Sequence, residues 1–259
     1  MFFSDISTLT PEVFLIVCPL VFLAGLLDAV AGGGALISIP AYLISGVPVH
    51  TAIATNKLSA SFGAAVSAAR FIKNKMVSFK LGIPSVFFAV SGSALGANLS
   101  MRMNESVMMK VLLVILPLAA FIVLNKRIFH DNLGEKAPTD KKTFIIVMTV
   151  AFLIGIYDGF FGPGAGTFTI ICLTVFAKMN IKTANAQTKL INLTTTVSAL
   201  AVFFAGGQVI VTLGIAAGLC NMLGSWIGAG LAMKKGSLII KPALLIVLLL
   251  LGSQLLRSL

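Results

Sequence analysis

Charge is scarce in this chain. Only 10% of its 259 residues are Asp, Glu, Lys or Arg, whereas a soluble domain carries about 25%. With 58% hydrophobic residues and a mean hydropathy of +1.05, the deficit excludes a soluble globular domain, a disordered chain and a nucleic-acid-binding domain. Histidine is nearly missing: only His50 and His130 occur, and both are expected in loops. They leave no intramembrane Ser–His dyad and no metal cluster. No Walker or other nucleotide motif appears, which argues against an ATP-driven pump in one chain. The expectation is a non-enzyme without metal or cofactor. The three cysteines, Cys18, Cys172 and Cys220, lie in apolar runs without a CxxC and read as buried free thiols. The opening MFFSDISTLTPE has no Lys or Arg, unlike the cationic start of a signal peptide. The first apolar run should therefore be a retained helix, with Thr10 as its cap and Pro11 in its first turn.

What the chain does have is long apolar runs. One span takes about 20 such residues, so there is room for eight full spans, two short segments and no appended soluble domain. The runs repeat. LAGLLDAVAGGG (23–34) matches LIGIYDGFFGPG (153–164), which aligns Asp28 with Asp158, Gly32 with Gly162 and Gly34 with Gly164. ATNKL (54–58) matches AQTKL (186–190), and GSALGA (92–97) matches GSWIGA (224–229). The division is a first membrane repeat over 1–130, a linker over 131–142 and a second repeat over 143–259. Each repeat reads as a helix (11–31, 143–161), a Gly-rich break, a short apolar piece (36–46, 167–178) and three more helices. Those are 51–71, 81–100 and 107–125 in the first repeat, and 183–205, 209–232 and 239–257 in the second. The glycine pairs Gly92/Gly96 and Gly224/Gly228 mark close helix packing.

The 19 Lys and Arg residues against 8 acids decide the orientation of the repeats. If each repeat crossed the membrane an even number of times, the loop cations would divide 10 to 7. If the Gly break makes the number of passes odd, they divide 14 to 3, with the 70–80 loop and the linker on the rich side. The excess of cations on cytoplasmic loops favours the second arrangement. The fold expected is thus an all-α polytopic membrane protein of two inverted repeats. Each has a Gly-broken or re-entrant helix plus about four membrane helices, and both termini lie outside. Inverted repeats with broken helices mark secondary transporters, whose site lies near the midplane.

Two lysines are left over, Lys57 and Lys189, equivalent in the repeat and inside apolar helices. So are two equivalent acids, Asp28 and Asp158. Charges at membrane depth are candidates for function. Lys57 is flanked by Thr55, Asn56, Ser59 and Ser61; Lys189 by Gln187, Thr188, Asn192 and Thr194. An ammonium among hydroxyls and amides is suited to a small anion. The breaks, through Gly33, Gly34 and Gly164, would add backbone N–H groups and the positive end of a half-helix. Asp28 and Asp158 are assigned a coupling or gating role, with H+ or Na+ as the candidate coupling ion. The competing structural reading pairs Asp28 with Lys57 and Asp158 with Lys189, each within one repeat, as ion pairs that only fix packing.

The segments AGLLDAVAGGGALISIPAYLISGVPVHTAIATNKL, GIYDGFFGPGAGTF and AQTKLIN resemble the TauE/SafE family, the sulfite exporter and organosulfonate permease group. The likeness runs over essentially the whole chain. It implies a bacterial inner-membrane transporter or exporter of small sulfur-containing anions, with Lys57, Lys189 and their neighbours matching the family's repeated lysine motifs. Another small organic anion such as a carboxylate, or a channel-like or structural membrane protein, stays as the alternative. The partners expected are the anion and membrane lipid, with no nucleic acid; substrate, direction and oligomeric state stay open.

Overall fold

The computed structural model describes residues 10–104 and 140–243, apart from 237 and 241. The described residues form eight helices of eight residues or more, with no strand among them: α1 (Pro11–Ala31), α2 (Ala35–Ile44), α3 (Val49–Lys73), α4 (Phe79–Arg102), α5 (Lys141–Phe160), α6 (Ala165–Val175), α7 (Ile181–Ala205) and α8 (Val211–Lys235). Five of them, α1, α4, α5, α7 and α8, are long and apolar enough to cross a membrane. Of the eight expected full spans, 107–125 and most of 239–257 lie outside the described residues. Among the six that are described, α3 departs from expectation. Its 25 residues reach about 37 Å, but Asn56, Lys57 and several serines make it too polar to count as a lipid-facing span. It can afford them because its polar side chains Thr55, Asn56, Lys57, Ser59 and Ser67 are buried against other helices.

The helix ends follow local chemistry. Thr10 caps α1 in an extended conformation with Pro11 behind it, yet its hydroxyl makes no capping bond. Asp140 caps α5: its carboxylate accepts from the Thr143 amide at 3.3 Å and the Thr143 hydroxyl at 2.7 Å. The bond from that hydroxyl holds the Asp140 carboxyl below its usual value. His50, expected in a loop, stands in the first turn of α3. The three cysteines are free and half-buried. Outward-facing Leu15, Ile83, Phe87, Leu153 and Leu223 are exposed. The chain is therefore apolar outside and polar at its centre, the arrangement a bilayer imposes. It is a multi-pass membrane protein.

Helix contacts recur with the repeats exchanged. α1 packs on α8, and α5 packs on α4. A Cβ on Gly224 would run into the carbonyl of Phe22, and one on its counterpart Gly92 into the carbonyl of Phe152. Gly228 lies against Leu26, and Gly96 lies against Ile156 in the same way. Gly25 faces Asn221, as Gly155 faces Ala89. Each close approach thus occurs twice, at the offsets of the sequence repeat and always between repeats. These glycines are packing residues, as expected, and what they pack is one repeat onto the other.

The two Gly-rich breaks, 32–34 and 161–164, meet at the centre. Gly32 ends α1 with φ +78°. A Cβ there would overlap the backbone of Gly166, and one on Gly166 would come within 2.6 Å of Gly32 Cα. The Thr167 amide donates to Gly32 O at 3.3 Å, and its hydroxyl donates to Ala31 O at 2.7 Å. Gly32→Ala is expected to destabilise the fold by about 2–4 kcal/mol, combining left-handed strain with overlap. Gly46 has φ +82° but open space around it, so Gly46→Ala should cost only the strain, about 1 kcal/mol. Thermal unfolding of the two purified variants in detergent measures the difference. Equal losses would remove the central overlap from the account.

Candidate functional site

Asp28 and Asp158 each stand in the last turn of the helix that runs into a break, where backbone carbonyls lose their helical partners. A cation is favoured at such an end. Lys57, in the third turn of α3, supplies one: its Nζ lies 2.9 Å from Asp158 Oδ1 and donates to Asp158 O at 2.5 Å. Lys189, on α7, does the same to Asp28, with Nζ 3.3 Å from Oδ2 and a further bond to Asp28 O. The pairs therefore run between repeats, Lys57 with Asp158 and Lys189 with Asp28. This corrects the pairing within each repeat that the sequence suggested. The reason is topological. Lys57 reaches the end of α5 and Lys189 reaches the end of α1, so each broken helix is capped by the other repeat's lysine.

The two pairs are not equally placed. A cavity of about 30 Å³, with room for about two waters, opens beside the breaks. Of the residues expected at the site, Lys57, Asn56, Asn192, Gly34, Asp28 and Asp158 line it. Lys189, Thr55, Gln187, Thr188, Gly33 and Gly164 are not on its described wall. Lys189, Thr55, Gln187 and Thr188 are instead fully buried. The Thr55 hydroxyl accepts from the Ile210 amide at 3.0 Å and so holds the start of α8. Gly162 gives the Lys57–Asp158 pair its space: a Cβ there would sit 2.9 Å from Asp158 Oδ1 and 3.0 Å from Lys57 Nζ. On the other side of the cavity both Asp28 oxygens are occupied. Oδ1 accepts from the Gly34 amide at 3.4 Å, and Oδ2 accepts from Asn192 Nδ2 at 3.3 Å as well as from Lys189.

The backbone of the breaks is also asymmetric. Gly34 enters α2 with φ −57°, while its counterpart Gly164 enters α6 with φ +78°. α2 starts from the cavity wall at Gly34 and Ala35, and the first turn of α6 reaches it at Gly166. The positive ends of two half-helices thus face one small space that already holds an ammonium. The same wall carries the Asp28 and Asp158 carboxylates, and the ammonium is paired with Asp158.

The sequence reasoning missed Ser38, Thr196 and Asn221 on this wall. Thr196 follows Asn192 by one helical turn, so helical spacing could have found it. The repeat counterpart of Asn221 is Ala89, so repeat symmetry does not point to it. Its signal was a lone amide in an apolar helix opposite small residues. A Cβ on Gly63 would overlap the Asn221 side chain, and one on Gly25 would overlap its backbone.

The comparisons with known proteins point to a membrane transporter family. The sequence model of the family described as "Sulfite exporter TauE/SafE" matches residues 17–255. A "Probable membrane transporter protein ORF9" of Sinorhizobium is 35% identical over 92% of this chain and 90% of its own. A "Probable membrane transporter protein" of Haemophilus influenzae is 32% identical over 87% of each chain. The "Probable membrane transporter protein YfcA" of Escherichia coli K12 is 31% identical over 98% of this chain and 93% of its own. No solved structure matches the chain.

Proposed function

The chain belongs to the TauE/SafE sulfite exporter family, and on that premise we propose that it moves a small sulfur-containing anion, of the sulfite or organosulfonate class, across the bacterial inner membrane. The observation that carries the reading is Lys57. It is an ammonium only 3% exposed, set on the wall of a central cavity between two half-helix starts. Asn56, Asn192, Ser38, Thr196 and Asn221 around it offer the neutral hydrogen-bonding groups that would fix the oxygens of such an anion. The cavity is too small for a substrate with its hydration shell, so it must widen to admit one.

Alternating access is proposed from the same asymmetry. The 14 to 3 division of loop cations supports inverted repeats with the linker on the cytoplasmic side and both termini outside. If the repeats exchange conformations, Lys189 comes to line the cavity in the opposite-facing state and Lys57 is walled off, with both aspartates still on the wall. The two lysines then serve in turn. Purified protein in liposomes loaded with sulfite should show saturable sulfite release, competed by organosulfonates. Flux competed by small carboxylates but not by sulfonates would move the substrate to that class. No anion flux at all would leave the ion pairs as packing elements only.

A further inference from the structure

We infer that the anion travels together with one proton, and that Asp158 takes that proton at Oδ2. The inference rests on the anion reading above. The cluster at the breaks holds two ammonium groups, Lys57 and Lys189, and two carboxylates, Asp28 and Asp158, so it is neutral. Lys57, Lys189 and Asp158 are all nine-tenths or more buried. An arriving anion would make this poorly hydrated cluster net negative, which is costly at membrane depth. One proton taken up with it restores neutrality.

Geometry chooses the acceptor. Asp28 holds donors on both oxygens, so protonating it would displace one of them. Asp158 is different. Its Oδ1 is paired with Lys57. Its Oδ2 is buried and, among the described residues, has no hydrogen-bond partner. A carboxylate oxygen without a donor is the place where an O–H costs no existing bond. The Asn56 carbonyl oxygen, also buried and without a partner among the described residues, lines the same cavity and can accept from that O–H.

The ionisable surroundings of Asp158 are few. α3 presents Lys57, α1 presents Asp28 across the cavity, and α7 carries Lys189 behind Asp28. α4 has only Lys80 and Arg102, both exposed at its ends, and α6 has only Cys172. Tyr157, the neighbour on α5, donates to Pro163 O at 2.6 Å. The step itself is a simple exchange. H+ adds to the Asp158 carboxylate, its ion pair with Lys57 opens, and the ammonium turns to the anion. Lys57 keeps its proton and its bond to Asp158 O, and no electron moves.

Calorimetry in a series of buffers with different ionisation enthalpies counts protons directly. The probes are sulfite and methanesulfonate; the latter's charge does not change across the neutral range. Wild-type protein should take up one proton per methanesulfonate, with Kd rising about tenfold per pH unit where the linkage operates. Asp158→Asn should bind both probes with no pH dependence of its own and no proton uptake. The wild-type minus variant difference for sulfite cancels the anion's own titration and should equal one proton. Anion binding without proton uptake in the wild type overturns the inference and leaves the anion reading standing. Absence of binding to either probe overturns both. Should Asp158→Asn fail to fold, Asp158→Glu provides the assignment. The infrared band of a protonated carboxyl that appears on adding methanesulfonate should shift in that variant, and an unshifted band overturns the assignment.

Discussion

Lys189→Ala should cost the fold about 3–5 kcal/mol, the loss expected when one partner of a buried ion pair is removed. Lys189 is 0% exposed and pairs with Asp28 across the repeat boundary. Its removal takes a donor from Asp28 Oδ2 and from Asp28 O, which then keeps only the Gly32 amide. The decisive variants exchange charges. Asp28→Lys with Lys189→Asp restores an attractive pair across the repeats and should recover most of the loss. Asp28→Lys with Lys57→Asp restores attraction only within the first repeat, where the structure places no contact, and should recover none. Thermal unfolding of the purified proteins in one detergent reads all four. Recovery by the second double variant and not by the first would overturn the pairing described here.

The pairing shows where sequence reasoning reached its limit. The offset of 130 to 132 residues aligned Asp28 with Asp158 and Lys57 with Lys189, because a repeat preserves local sequence. Helix ends came within a few residues, since Pro11, Gly32 and Gly164 act on their immediate neighbours and apolar runs set the span lengths. Which lysine meets which aspartate is a tertiary fact. It depends on which lysine reaches the end of each broken helix, and no local pattern carries that. The polarity of α3 has a related cause: hydropathy treats every span as facing lipid, whereas this helix has protein around its polar residues. Asn221 was lost because repeat symmetry was used as a filter, and a residue that breaks the symmetry cannot pass it. The same filter gave Lys57 and Lys189 one role, although only Lys57 reaches the cavity in this conformation.

That difference yields the largest functional effect expected. Single lysine substitutions mix charge loss with instability, so each pair is best removed as a pair, which a core tolerates far better than a lone buried charge. Lys57→Met with Asp158→Asn keeps the cluster neutral and takes the ammonium from the cavity wall. Loss of a buried charged contact to a ligand is worth about 2–5 kcal/mol, so sulfite affinity should fall by at least about thirtyfold. Lys189→Met with Asp28→Asn leaves Lys57 in place, and equilibrium affinity should stay within a few-fold of wild type. Transport separates the two pairs differently. If the repeats exchange conformations during the cycle, Lys189 becomes the cavity lysine in the opposite-facing state. The second double variant should then bind sulfite yet fail to release it across a liposome membrane. Full transport by that variant would mean that the asymmetry of the two pairs is permanent and that Lys57 alone serves both faces. Unchanged sulfite affinity in the first double variant, with its fold intact, would remove the ammonium from the site altogether. The anion would then have to be held by the backbone N–H groups of the breaks and the neutral amides and hydroxyls of the wall, without a fixed charge, a much weaker arrangement for a full negative charge at membrane depth.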